Sequence, residues 1–166
     1  GFHIACCDAA ELLGNKEAIS LWNPFHTLLY RVGLNRKALL EGMSRGAVYA
    51  LNWAAANPDK VAGVYIDNPL LDMRAYAQQG RPLSGDIRKA YGLDGSQSIE
   101  SFNGSPMDKI ADIVTGAYPI LVLCADEDEA VDPETQTLAF EKKIRSAGGD
   151  ITVLMKHGFK HHPHSF

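Results

Sequence analysis

The chain has 166 residues, 46% of them apolar and 22% charged, with 16 Lys and Arg against 20 Asp and Glu and a net charge of −4 with His neutral. That apolar share excludes intrinsic disorder, and 15 Gly and 8 Pro without a period exclude collagen-like and low-complexity chains. No Lys/Arg run forms a basic stripe, so no nucleic-acid partner is expected, and the apolar runs are strand-sized, far short of the roughly 20 residues that cross a bilayer.

Short apolar runs alternate with helical segments, which predicts an α/β chain with a mostly parallel sheet flanked by helices. Phe2–Cys7 reads as a strand, and Lys16–Val32 as a helix presenting Ile19, Trp22, Phe25 and Leu29 on one face. Pro24 inside that helix predicts a kink or a restart. Lys37–Glu41 is a second strand, Ala47–Asn57 a small-residue helix stopped by Pro58, and Val61–Ile66 a third strand. The unbroken, β-branched character of these runs suits strands buried on both faces.

Residues 69–104 are rich in Gly, Ser, Gln and Asp, with helical hints at Met73–Gln79 and Gly85–Tyr91, and read as a lid-like insertion. Ser105-Pro106-Met107-Asp108 starts the next helix, with Met107, Ile110, Ala111 and Val114 as its buried face. Ile120–Ala125 is the fourth strand. Pro133–Ala147 is a helix with Thr137, Phe140, Ile144 and Ala147 on one side, ended by Gly148-Gly149, and Ile151–Met155 is the fifth strand. No repeat or second domain is evident, so residues 1–166 read as one domain. Cys6, Cys7 and Cys124 show no C-x-x-C spacing and read as small buried apolar residues, which leaves the compartment open.

Gly42-Met43-Ser44-Arg45-Gly46 matches G-x-S-x-G, and its setting between a buried strand and a small-residue helix is what a nucleophile elbow demands. The turn must push the Ser44 hydroxyl out at the carboxyl edge of the sheet, and Gly42 and Gly46 are expected to be glycine because side chains there would collide with strand and helix. The helix start behind Ser44 offers oriented N–H groups to a developing oxyanion. A serine hydroxyl needs a base, usually a His held by a carboxylate. Candidates follow in the order Ser…Asp…His: Asp126, Asp128 and Asp132 after the fourth strand, then His157, His161, His162 and His164 after the fifth. Each group lies just past the carboxyl end of a strand, where open α/β sheets build their sites.

The elbow GMSRG, the acid loop ADEDEAVDP and the closing HGFKHHPHS resemble those of the α/β-hydrolase family. More narrowly, EGMSRGAVYALNWAAANPDKVAGVYIDNP and HHPHS look like a group of bacterial esterase- or peptidase-type α/β-hydrolases found beside carbohydrate-degrading enzymes. The family loop G-D-x-D-x-x-V-P carries the triad acid at its second Asp, which aligns with Asp128; Asp126 is the runner-up, and Asp67 a further alternative. The family base follows G-x-G-H, which aligns with His161, although Lys160 stands where the second glycine would be. Arg45 would give its backbone N–H to the oxyanion, and its side chain is expected in a structural ion pair ahead of a contact with a substrate carboxylate.

The resemblance implies a partial fold that begins at the fourth family strand, a fragment of a longer protein, poorly active or inactive alone. It also implies that the loop supplying the other oxyanion donor is missing. The expected activity is hydrolysis of a small-molecule or glycan-derived carboxylic ester by a serine acyl-enzyme route without cofactor. A serine peptidase on the same fold and a non-catalytic binding protein are the alternatives. The histidine spacing does not place two ligands on one helix face, and no cysteine joins them, so no metal is expected.

Overall fold

The structure is a computed structural model and describes residues 2–93 and 99–165. Residues 94–98 of the lid-like stretch lie outside the described residues. Four parallel strands form the sheet: β1 (Ala38–Met43), β2 (Val61–Asp67), β3 (Ile120–Ala125) and β4 (Ile151–Lys156), in the spatial order β1-β2-β3-β4. The helices are α1 (Lys16–Arg31), α2 (Gly46–Ala56), α3 (Met73–Gln78), α4 (Ser84–Ala90), α5 (Ile110–Thr115) and α6 (Ala139–Ser146).

Spatial order equals chain order, so the right-handed rule for parallel crossovers sends every connecting helix to the same side. α1, α2, α5 and α6 accordingly pack side by side in one row. The core lies between this row and the inward positions of the sheet. Leu40, Val64, Ile120 and Ile151 stand in register along one line, with Gly42, Ile66, Val122 and Val153 along the next. Trp53, Leu51, Phe140 and Ile144 close over them from α2 and α6. On the opposite face Leu39, Leu121 and Leu154 are exposed, whereas Asp67, Leu123 and Lys156, toward the carboxyl ends of the strands, are buried. The expectation of strands buried on both faces therefore fails for β1 and holds only in part for β2, because unbroken apolar runs look alike whether one side or two are covered.

Phe2–Cys7 is not a strand. Phe2 and Ile4 are exposed, and no strand ladder joins these residues to another segment among the described residues. Without a partner ladder, β propensity alone does not hold a strand. Cys6 is exposed and Cys7 half-buried, so of the three cysteines expected to be buried only Cys124 is.

Pro24 sits inside α1 without ending it. A turn of 3-10 helix, Pro106–Asp108, precedes α5, and the break at Lys109 resets the helical phase, so Ile113 takes the buried position expected of Ala111, which is exposed. Glu134–Leu138 forms a π-helical turn before α6, and Ala147 is an exposed C-cap rather than part of the apolar face. Residues between β2 and α5 gather a second apolar cluster, with Leu70, Met73, Ile87 and Phe102 packed against Leu13 and Val48.

Candidate active site

β1 runs straight into a turn at which Ser44 adopts φ +51°, the left-handed region, at a cost of about 1–3 kcal/mol that the surroundings must supply. They do so through β2's exit. The Ser44 N–H donates to the Asp67 carbonyl at 2.9 Å, and the Leu70 N–H donates to the Ser44 carbonyl at 3.0 Å. A Cβ on Gly42 would lie 2.7 Å from the carbonyl carbon and oxygen of Gly46, so only glycine fits there. Gly46 differs from expectation: nothing lies within 4 Å of a Cβ at that position. It lines an open cleft with Met43, Arg45 and the segment Ala5–Glu11, so no packed neighbour stands in the way.

α2 starts immediately behind Ser44, with Arg45 as its N-cap. The Arg45 guanidinium pairs with Glu11 at 3.0 Å on the surface, the structural role expected of it.

The loops after β3 and β4 bring a carboxylate and an imidazole to the same rim. Asp128 Oδ1 accepts from the N–H groups of Ala130 (2.8 Å) and Val131 (2.9 Å), and its Oδ2 lies 2.7 Å from His161 Nδ1. His161 Nε2 lies 2.9 Å from Ser44 Oγ. Burial works against the Asp128 charge, but the His161 ring and the two backbone N–H groups outweigh it and hold the carboxyl below its usual range. An ionised carboxylate only accepts, so Nδ1 carries the ring proton, and the lone pair of Nε2 is left facing the hydroxyl. Such an array can move a proton off Ser44.

The other candidate acids are engaged elsewhere. Asp126 accepts from the Gly158 N–H at 2.8 Å and meets His157 Nδ1 at 2.8 Å; the His157 contact, then the Gly158 bond, lower its pKa. Asp67 is wholly buried and paired with the equally buried Lys156 at 2.7 Å; the Ser165 N–H donates to its second oxygen. Asp132 caps the following turn through Thr135 and Glu134. Lys160, in the place of a family glycine, points outward to Glu129 at 3.2 Å and leaves His161 undisturbed.

Sequence reasoning missed Asn68. It too has positive φ, +45°, and ties the exit of β2 to the end of β3 and to the His161 loop. Its N–H donates to Leu123, its Oδ1 accepts from the Ala125 N–H at 2.8 Å, and its Nδ2 donates to the His161 carbonyl at 2.8 Å. The available signal was an Asn directly after a strand, a residue type that tolerates left-handed backbone. Both the His162 and the His164 rings stand edge-on to His161, with centroids 4.9 and 5.1 Å away.

Among solved structures, a puromycin hydrolase matches over 92% of this chain with a TM-score of 0.69 at 22% identity. This is part of the α/β-hydrolase fold. The acylaminoacyl peptidase of Pyrococcus horikoshii matches over 92% of the chain with a TM-score of 0.69 at 16% identity. The monoacylglycerol lipase of Paleococcus ferrophilus matches over 89% with a TM-score of 0.55 at 22% identity. The chain spans 23% and 25% of the first two proteins and 66% of the lipase. No family model and no curated protein matches the sequence. At these identities the likeness to α/β-hydrolases is one of fold.

Proposed function

We propose that this chain carries the nucleophile, base and acid of a serine hydrolase that cleaves carboxylic esters through an acyl-enzyme. The observation that carries this reading is His161 lying between Ser44 Oγ at 2.9 Å and Asp128 Oδ2 at 2.7 Å. Ser44 Oγ attacks the ester carbonyl while His161 Nε2 takes its proton, and the Arg45 N–H stabilises the oxyanion from the helix start. The imidazolium, steadied by Asp128, returns the proton to the departing alcohol. Water then attacks the acyl-enzyme by the same relay, and the free acid leaves. The cleft beside Ser44, lined by Met43, Arg45 and Gly46, would receive a small-molecule or glycan-derived ester.

The peptidase version uses the same parts with an amine as leaving group. It draws support from the similar fold of a puromycin hydrolase and an acylaminoacyl peptidase. A fluorophosphonate probe tests the common core: it should label Ser44, and Ser44→Ala or His161→Ala should abolish labelling. Absence of labelling in the wild-type protein refutes the proposal. Paired assays on an acyl ester and an acylated peptide amide then separate the two versions.

A further inference from the structure

The tail after β4 folds His161, His162 and His164 together, and one ring nitrogen from each lies within 4.8 Å of the others. The rings are mutually edge-on, with His162 and His164 centroids 4.7 Å apart. His164 Nδ1 is buried without a hydrogen-bond partner, with Asp67 Oδ1 3.8 Å away. Zinc–imidazole bonds of about 2.0–2.1 Å bring tetrahedral ligand nitrogens to about 3.4 Å of one another, so side-chain rotation of His162, which is exposed, closes much of the gap.

We propose that these three imidazoles form an inhibitory site for a divalent first-row metal ion, Zn²⁺ above all, which holds the enzyme off by occupying its base. The proposal rests on the reading of His161 as that base. His161 Nδ1 is committed to Asp128, so Nε2 is the nitrogen it has to give. A carboxylate on the far nitrogen is also the arrangement that orients a metal-binding histidine and raises its basicity. The lone pair that would deprotonate Ser44 is therefore the one a metal takes. With it coordinated, the Ser44 hydroxyl loses its acceptor and stays a poor nucleophile. His162 and His164 contribute nothing to the proton relay, and this role accounts for their clustering. The thiols of Cys6 and Cys7 and the acidic loop 126–134 are the competing soft and hard sites on the same chain.

The test is a calorimetric titration of the protein with Zn²⁺ alone, run beside fluorophosphonate labelling of Ser44 at each metal concentration. One Zn²⁺ per chain is expected, with binding weakened at least tenfold in both His162→Gln and His164→Gln. In the wild type the labelling rate should fall as the site fills and recover on chelation; in each variant the fall should need at least tenfold more metal, measured against that variant's own metal-free rate. No saturable one-to-one binding, or binding that survives both substitutions, overturns the site. Binding that leaves labelling unchanged overturns its inhibitory role. The titration reads binding whether or not Ser44 reacts, so a protein that binds Zn²⁺ but never labels refutes the hydrolase reading and not the metal site.

Discussion

Asn68 is the residue whose removal separates positioning from chemistry. In Asn68→Ala the Ala125 N–H, fully buried, loses its acceptor, which costs about 1–3 kcal/mol, and the bond to the His161 carbonyl contributes about 0.5–1.5 kcal/mol more. Alanine is also held at a φ of +45° that asparagine tolerates better, for about 1 kcal/mol. Together these amount to about 2.5–5.5 kcal/mol. With an m-value of about 2 kcal/mol/M in urea, the unfolding midpoint should drop by about 1.2–2.8 M. The His161 carbonyl is then free to drift, and a displacement of about 1 Å at a reacting group costs on the order of 100-fold in rate. Fluorophosphonate labelling of the folded protein should slow by that order. Asn68→Asp keeps an acceptor for Ala125 but turns a second oxygen toward the His161 carbonyl, so it should lose labelling with a smaller fall in stability. Should Asn68→Ala lower the midpoint while the folded protein labels at the wild-type rate, the bond to His161 does not position the base.

Gly42→Ala should destabilise by about 1–3 kcal/mol through the clash with Gly46, whereas Gly46→Ala has room and should leave the melting temperature unchanged or raised; thermal unfolding compares them. Lys156→Met strips the buried Asp67 of its cation and should cost about 3–5 kcal/mol by urea unfolding. Asp128 has a depressed folded-state pKa, so its contribution is present above the unfolded value of about 3.9 and fades as pH falls through the lower folded value. Urea midpoints measured downward from pH 5 should therefore fall less steeply in Asp128→Asn than in the wild type.

The candidate site was legible because each of its three side chains lies on the loop just past a strand, and strand ends in a parallel sheet converge on one rim whatever lies between them. The competing acids could be ranked by motif alignment, but what fixes Asp128 over Asp126 is a loop turn that gives one carboxylate two backbone donors and the other to His157. Phe2–Cys7 was misread since a strand is defined by its neighbour, and apolar alternation carries no information on whether one is present. The phase slip at Lys109 and the buried Gln136, which accepts from the N–H groups of Leu71 and Asp72, both depend on contacts across the fold. Asn68 belongs to the same class: its three bonds join segments up to 93 residues apart.

The sequential winding of the sheet has a consequence for biosynthesis. Each new strand adds beside the one just made, so the chain can assemble in the direction in which it leaves the ribosome. Ser44 and its strained turn depend on β2 and come into being early, while the imidazole that faces the hydroxyl arrives 117 residues later. Under the hydrolase reading, the nascent polypeptide thus displays a dormant nucleophile while those 117 residues are made, and reactivity begins only when the His161 loop closes.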